Sequence, residues 1–171
     1  MLDHNMLDHN RLIGQLVHLA QCKTYLELGV HDGSTFNLIV PLVERAIGVD
    51  IVDKRIIKKG EFYQETTDAF FKHFTDPVDV VFIDADHRFK SVRKDLYSSL
   101  GLLSPHGFII LHDTDPDGEK WLAPGYCGDS YKIVDYVRQN MPQVDITTLP
   151  LSHTGMSFLA RKNTRRVLEF V

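Results

Sequence analysis

Cysteine is scarce in this chain: its 171 residues carry only two, Cys22 and Cys127. Two thiols exclude a disulfide framework and a four-thiolate zinc site. Long apolar runs are missing too, since no stretch approaches the ~18 residues of a membrane span. No basic segment followed by an apolar core marks an export signal. Free thiols without such a signal predict a cytoplasmic protein that does not engage membranes. A basic excess is also absent: 19 Lys and Arg face 23 Asp and Glu, a formal charge of -4. That balance argues against a dedicated nucleic-acid binder. Seven Pro and eleven Gly exclude a collagen-like chain, and 43% hydrophobic residues exclude a disordered one. What remains is one domain over residues 1–171, long enough to hide about 70% of its unfolded surface. Nine histidines stay open as ligands, bases or plain surface.

The N-terminus repeats itself, with MLDHN at residues 1–5 and again at 6–10. A period of five fits neither helix nor strand, and two copies make no solenoid. Asp3, His4, Asp8 and His9 are candidate metal ligands there, although a fraying terminus is the plainer expectation. Asn10 reads as the cap of a lead-in helix within residues 1–22, with an apolar stripe at Leu12, Ile13, Leu16, Val17 and Leu19.

From residue 24 onward, short apolar runs alternate with helical patterns. Strands are expected at 24–28, 45–49, 61–64, 78–83 and 107–111, and helices near 34–43, 67–74 and 89–103. Runs such as VDVVFID and GFIILHD lack polar alternation, as strands buried on both faces do. The order predicts an α/β fold, a doubly wound Rossmann-like sheet with helices on both faces. A segment dense in Asp, Gly and Pro follows, and 112–130 is read as an active-site loop. Its Trp121 and Tyr126 are candidate surface for a bound acceptor, while Cys127 shows no nucleophile context. A helix at 131–141 and a hairpin over 144–162 complete the chain, with Arg161, Lys162, Arg165 and Arg166 as a basic tail. Ligands of such sheets lie beyond the carboxyl ends of the strands. Here those ends carry Glu27, Gly29, Asp50, Glu65, Asp84, His112 and Asp113, an acidic rim.

The first strand leads into LELGVHDGSTF, with Gly29 and Gly33 four apart. Glycine permits the tight turn and close approach of a ligand. The middle glycine of a dinucleotide fingerprint is missing, and no GK[ST] follows. Asp32 would repel a pyrophosphate there, so a cofactor with a positive centre suits the turn better; its plain alternative is a helix cap. Asp50 ends the second strand, where a carboxylate accepts both hydroxyls of a ribose. Thr67 and Asp68 are weaker candidates for flanking an adenine.

Glu27, Gly29, Gly33 and Ser34, with Asp50, resemble the class I S-adenosylmethionine-dependent methyltransferases. VVFIDADH (80–87) and FIILHD (108–113) sharpen the likeness to metal-dependent O-methyltransferases of the catechol type and the macrolide-sugar and rhamnosyl type. The resemblance covers roughly residues 22–162. It implies a seven-stranded sheet, mostly parallel, with the last strand antiparallel. It also implies that Glu27 and Gly29 line the methionine end of S-adenosylmethionine, with Ser34 or Thr35 near its carboxylate.

Asp84 and Asp113 should project from neighbouring strand ends and suit a divalent cation, Mg²⁺ or Mn²⁺. The family places two consecutive ligands after its fifth strand; this chain has His112–Asp113–Thr114, so the metal set is read as Asp84, His112 and Asp113, with Asp84 also near the cofactor. A histidine ligand moves the preference toward Mn²⁺, Fe²⁺ or Zn²⁺. His87, at the offset where family members carry a Lys or His base, is the candidate general base; its plain alternative is an exposed first-turn helix residue. Asp113, Asp115, Asp117 and Gly118 match four positions of a calcium loop, but Pro124 stands where its last carboxylate belongs. The expected activity is O-methylation of a small hydroxylated molecule, with a sugar or glycoside as a candidate acceptor and a homo-oligomer left open. The alternatives are a nicotinamide-dependent oxidoreductase and a non-catalytic cofactor-binding subunit.

Overall fold

The computed structural model describes residues 9–53, 57 and 59–162. The first MLDHN copy, Asp8 and the tail residues Arg165 and Arg166 lie outside the described residues. Seven strands form one sheet in the order β3-β2-β1-β4-β5-β7-β6. They are β1 (Thr24–Leu28), β2 (Arg45–Asp50), β3 (Glu61–Gln64), β4 (Val78–Ile83), β5 (Leu103–His112), β6 (Val144–Leu149) and β7 (Met156–Arg161). The first five pair in parallel, and β7 slots antiparallel between β5 and β6. This is the expected arrangement. Strand order reverses between β1 and β4, so the crevice for a ligand opens above Leu28 and Ile83.

Five helices cover the two faces: α1 (His9–Leu19), α2 (Ser34–Ile39), α3 (Thr67–Phe70), α4 (Phe89–Leu102) and α5 (Lys132–Asn140). Ile13, Val17, Phe36 and Ile39 of α1 and α2 pack on Tyr25, Val80, Phe82 and Ile110 on one face. Phe70, Val92, Leu96, Ile133 and Val137 of α3 to α5 pack on Leu26, Leu28, Ile47, Val81 and Ile109 on the other. Each buried Leu, Ile or Phe side chain contributes roughly 1.5–3 kcal/mol. Gly14 lets α1 approach α2 closely, since a Cβ there would stand 2.7 Å from Leu38 Cδ2.

Boundaries differ from the expectations in physical ways. Helix α2 stops at Ile39 and continues as a 3₁₀ turn (Val40–Leu42), because Pro41 has no N–H to donate. Helix α3 is only four residues long. Strand β5 begins at Leu103 rather than residue 107, its pairing with β4 shifting between Val78 and Val80. Leu19, placed on the buried stripe of α1, is 78% exposed. Among the described residues, no helix is long and apolar enough to cross a membrane.

Candidate active site

The turn after β1 is built around Gly29, whose φ of 87° is costly for other residues. A Cβ on Gly29 would stand 2.2 Å from the Asp84 carbonyl oxygen. The turn and the end of β4 are therefore pressed together, and Asp84 is brought beside the cofactor turn. Asp50 Oδ2 accepts hydrogen bonds from the Val30 and His31 amides at 3.0 and 2.9 Å, and Oδ1 accepts from the Val52 amide. Asp50 thus shapes the turn from the end of β2. Asp32 Oδ1 accepts from the Ser34 amide at 2.9 Å. The Ser34 amide and hydroxyl hold the Asp32 carboxyl below its ordinary pKa.

Glu27 is 1% exposed at the carboxyl end of β1. The hydroxyl of fully buried Tyr25 donates to its Oε2 at 2.6 Å. Burial pushes the Glu27 pKa well up; the Tyr25 bond opposes this, while Asp84, Asp32 and Asp50 add to it. Such a group gains from a positive ligand alongside it. Tyr25 escaped the sequence reading because a strand tyrosine facing the core looks like packing alone.

Ser34 and Thr35 meet α1. Thr35 Oγ1 donates to Asn10 Oδ1 at 2.6 Å, and Asn10 Nδ2 donates to Ser34 Oγ at 3.4 Å. Asn10 was expected to cap α1, but the described helix already includes His9, and the side chain reaches across to α2. Asp68 is engaged by α4. Asp68 pairs with Lys94 at 2.5 Å. Glu65 pairs with His73 at 2.8 Å.

Beyond β4 and β5, two carboxylates and two imidazoles converge. His112 Nδ1 lies 3.2 Å from Asp84 Oδ1 and 3.2 Å from Asp113 Oδ1. His87 Nδ1 lies 2.7 Å from Asp113 Oδ2, and its Nε2 is 3.9 Å from Asp84 Oδ1. The short His87 approach lies outside hydrogen-bond geometry, so it is a charge contact that leaves buried Nδ1 without a sound bond. Asp84, His87 and Asp113 each bring one donor atom within 4.8 Å of the others, a set able to hold a metal ion. The sequence reading had grouped His112 with the two carboxylates and kept His87 apart as a base; the structure draws all four together.

The charges shift one another. The Asp113 contact raises the His87 pKa against the pull of burial. Burial lowers that of His112, but the bond to Asp84 and the charge of Asp113 outweigh it and leave it raised. Burial pushes Asp113 up, yet His87 and His112 hold it below its ordinary value.

Asp113 has φ 58°, an unfavourable conformation for a residue with a Cβ. The Ser130 hydroxyl holds it there, 2.6 Å from the Asp113 carbonyl and 2.7 Å from that of Cys127. The Thr114 side chain turns inward and accepts from Ser157 Oγ at 2.8 Å. The segment that follows is stitched down on both sides. Asp115 and Asp117 amides donate to Thr154 and His153 carbonyls, and Gly128 lies so close to His87 that a Cβ would stand 2.6 Å from its carbonyl oxygen. Trp121 stacks on His153 at 5.2 Å and meets Tyr126 edge-on. Trp121 is thus committed to the hairpin, whereas Tyr126 is 53% exposed. Buried Cys127 has its thiol pushed up to about 12 by burial, then by Asp113, and is no nucleophile.

No curated protein matches the sequence. Among solved structures, an O-methyltransferase from Bacillus cereus in complex with SAH superposes with a TM-score of 0.75 at 16% identity, covering 94% of this chain and 84% of that one. The SAH-bound methyltransferase PaMTH1 from Podospora anserina gives 0.75 at 17%, covering 91% and 78%. The O-methyltransferase TomG from Streptomyces achromogenes, in complex with SAM and involved in tomaymycin synthesis, gives 0.68 at 14%, covering 91% and 80%. At such identities these likenesses establish the fold. The family model for a methyltransferase domain matches residues 26–114, from β1 through the Asp84–Asp113 rim and over half of the chain. The nicotinamide alternative falls with that match: the chain belongs to the methyltransferase-domain family.

Proposed function

We propose that the protein moves the methyl group of S-adenosylmethionine to a hydroxyl oxygen of a small molecule, with a sugar or glycoside as the acceptor class and a divalent cation assisting. The observation that carries this reading is the convergence of Asp84, His87, His112 and Asp113 beside the Gly29 turn. Glu27 and Gly29 would face the methionine end, Ser34 or Thr35 its carboxylate, Asp50 the ribose, and Thr67 with Asp68 the adenine.

The donor set fits a cation. Asp84, His87 and Asp113 bring donor atoms within 4.8 Å of one another, and His112 Nδ1 stands 3.2 Å from Asp84 Oδ1 and from Asp113 Oδ1. Asp84, His112 and Asp113 would hold the ion, and the imidazole nitrogen favours Mn²⁺ or Zn²⁺ over Mg²⁺. When bound, the cation lowers the pKa of the acceptor hydroxyl. His87 then takes the proton at Nε2, because the Asp113 charge favours keeping the other proton on Nδ1. The remaining work is to align oxygen, methyl carbon and sulfur, which the rigid Gly29 turn serves.

Calorimetric titration with S-adenosylmethionine and S-adenosylhomocysteine, followed by transfer of labelled methyl to a panel of hydroxylated molecules, tests the reading. Micromolar binding and label on an acceptor oxygen are expected. Absence of affinity for both ligands overturns it. Turnover that survives both chelation and Asp84→Ala removes the cation from the account.

A further inference from the structure

The first turn of α1 touches both halves of the site, and neither contact is explained by core packing. His9 lies ring to ring with His112, centroids 4.7 Å apart. Its neighbour Asn10 meets two consecutive residues of the cofactor turn, 24 and 25 positions away in sequence. The two ends of the carboxamide do different things. Its oxygen accepts the Thr35 proton at 2.6 Å, which fixes the amide orientation and leaves the Thr35 lone pairs as acceptors. Its nitrogen donates to Ser34 Oγ at 3.4 Å, so the Ser34 proton is directed away from Asn10. Thr35 is 6% exposed, which locks this arrangement. The result is an acceptor hydroxyl beside a donor hydroxyl. That pair matches a zwitterion, which presents an ammonium and a carboxylate side by side.

We propose that Asn10 is a cofactor-positioning residue, its carboxamide setting the Thr35 and Ser34 hydroxyls to receive the amino-acid end of S-adenosylmethionine. The proposal rests on the functional reading above and adds to it a residue from outside the strand-end motifs. It also gives α1 a part in the site: the helix that carries Asn10 carries His9 against the rim, so one turn braces both.

Asn10→Asp separates this role from a structural one. The substitution keeps the shape and keeps an acceptor for Thr35, but removes the donor to Ser34 and draws the Ser34 proton back to residue 10. A carboxylate in the first turn of a helix is favourable to the helix, so the fold is not threatened. The experiment compares S-adenosylhomocysteine, which has the amino-acid end, with 5′-methylthioadenosine, which lacks it, by titration calorimetry on wild type, Asn10→Asp and Asn10→Ala. The expected result is about a tenfold or greater loss of S-adenosylhomocysteine affinity in both variants, with 5′-methylthioadenosine changed by less than about twofold. Equal losses for the two ligands, or unchanged S-adenosylhomocysteine binding, overturn the proposal. A wild-type protein that binds neither ligand overturns the functional reading itself, and the positioning role with it.

Discussion

Strand β4 has an aspartate at each end, and their surroundings differ in kind. At the lower end, Asp79 Oδ2 accepts from the Lys23 and Thr24 amides at 2.8 and 3.1 Å, and Oδ1 accepts from the Ser104 hydroxyl at 2.6 Å. Those donors belong to the starts of β1 and β5 and do not titrate in any ordinary pH range. At the upper end, Asp84 is met by the imidazoles of His112 and His87, groups whose charge changes near neutrality. One carboxylate is tied off by backbone and hydroxyl; the other is held by partners that exchange protons. The contrast separates a residue held by fixed donors from one held by titrating imidazoles, the residue we propose for chemistry, although both end the same six-residue strand.

The contrast breaks if the two ends respond alike to substitution. The largest effect is expected at the top. Asp113→Asn should cut turnover by about a hundredfold or more, since it alters both the proposed cation site and the partner of His87. Its melting temperature should change little, because Asn keeps the shape of Asp and tolerates the φ 58° position well. Turnover within about threefold of wild type would remove Asp113 from the reaction. Next comes the bottom end, where Asp79→Ala orphans two amides and a hydroxyl. A cost of roughly 1–3 kcal/mol in chemical unfolding is expected, with affinity for S-adenosylhomocysteine retained. A stability loss below about 0.5 kcal/mol would show that the clamp is ornamental.

The smallest effect concerns acid. Burial pushes the Asp79 carboxyl up, but the bonds from Ser104, Lys23 and Thr24 outweigh it and hold its pKa below the ordinary value. A depressed folded pKa contributes stability that is fully present above the unfolded value of about 3.9 and is lost as pH falls through the folded one. The stability gap between wild type and Asp79→Asn should therefore be constant near neutrality and shrink below about pH 4. Urea midpoints across that range would show it; a gap that grows in acid would reverse the assignment.

Much of this molecule was legible in the sequence, for reasons visible at particular residues. VDVVFI and FIIL are apolar without alternation, and both strands lie in the middle of a sheet covered on each face. Asp84, His87, His112 and Asp113 were legible because they follow those runs directly, so strand direction alone delivers them to one edge. What escaped depends on contacts between elements distant in sequence. The bond from Asn10 to Thr35 exists because α1 and α2 approach closely across Gly14, a distance no local pattern encodes. Tyr25 is invisible for a different reason: its ring belongs to the core and only its oxygen serves Glu27. The early part of β5 was misread because Pro105 and Gly107 interrupt the pattern there, although Leu103 does pair with Val78.

The placing of β7 between β5 and β6 carries a consequence for the order of assembly. Residues 114–117 lie against 153–155, and Thr114 against Ser157, so the surroundings of Asp113 come from two remote parts of the chain. During synthesis the cofactor turn and both rim carboxylates emerge well before β7 does. Until that last strand slides between its neighbours, one flank of β5 is unpaired and Asp113 lacks half of its support. The centre of the molecule is therefore made early and finished last, and a chain interrupted before β7 would carry Asp84, His87, His112 and Asp113 without the strand that supports Asp113.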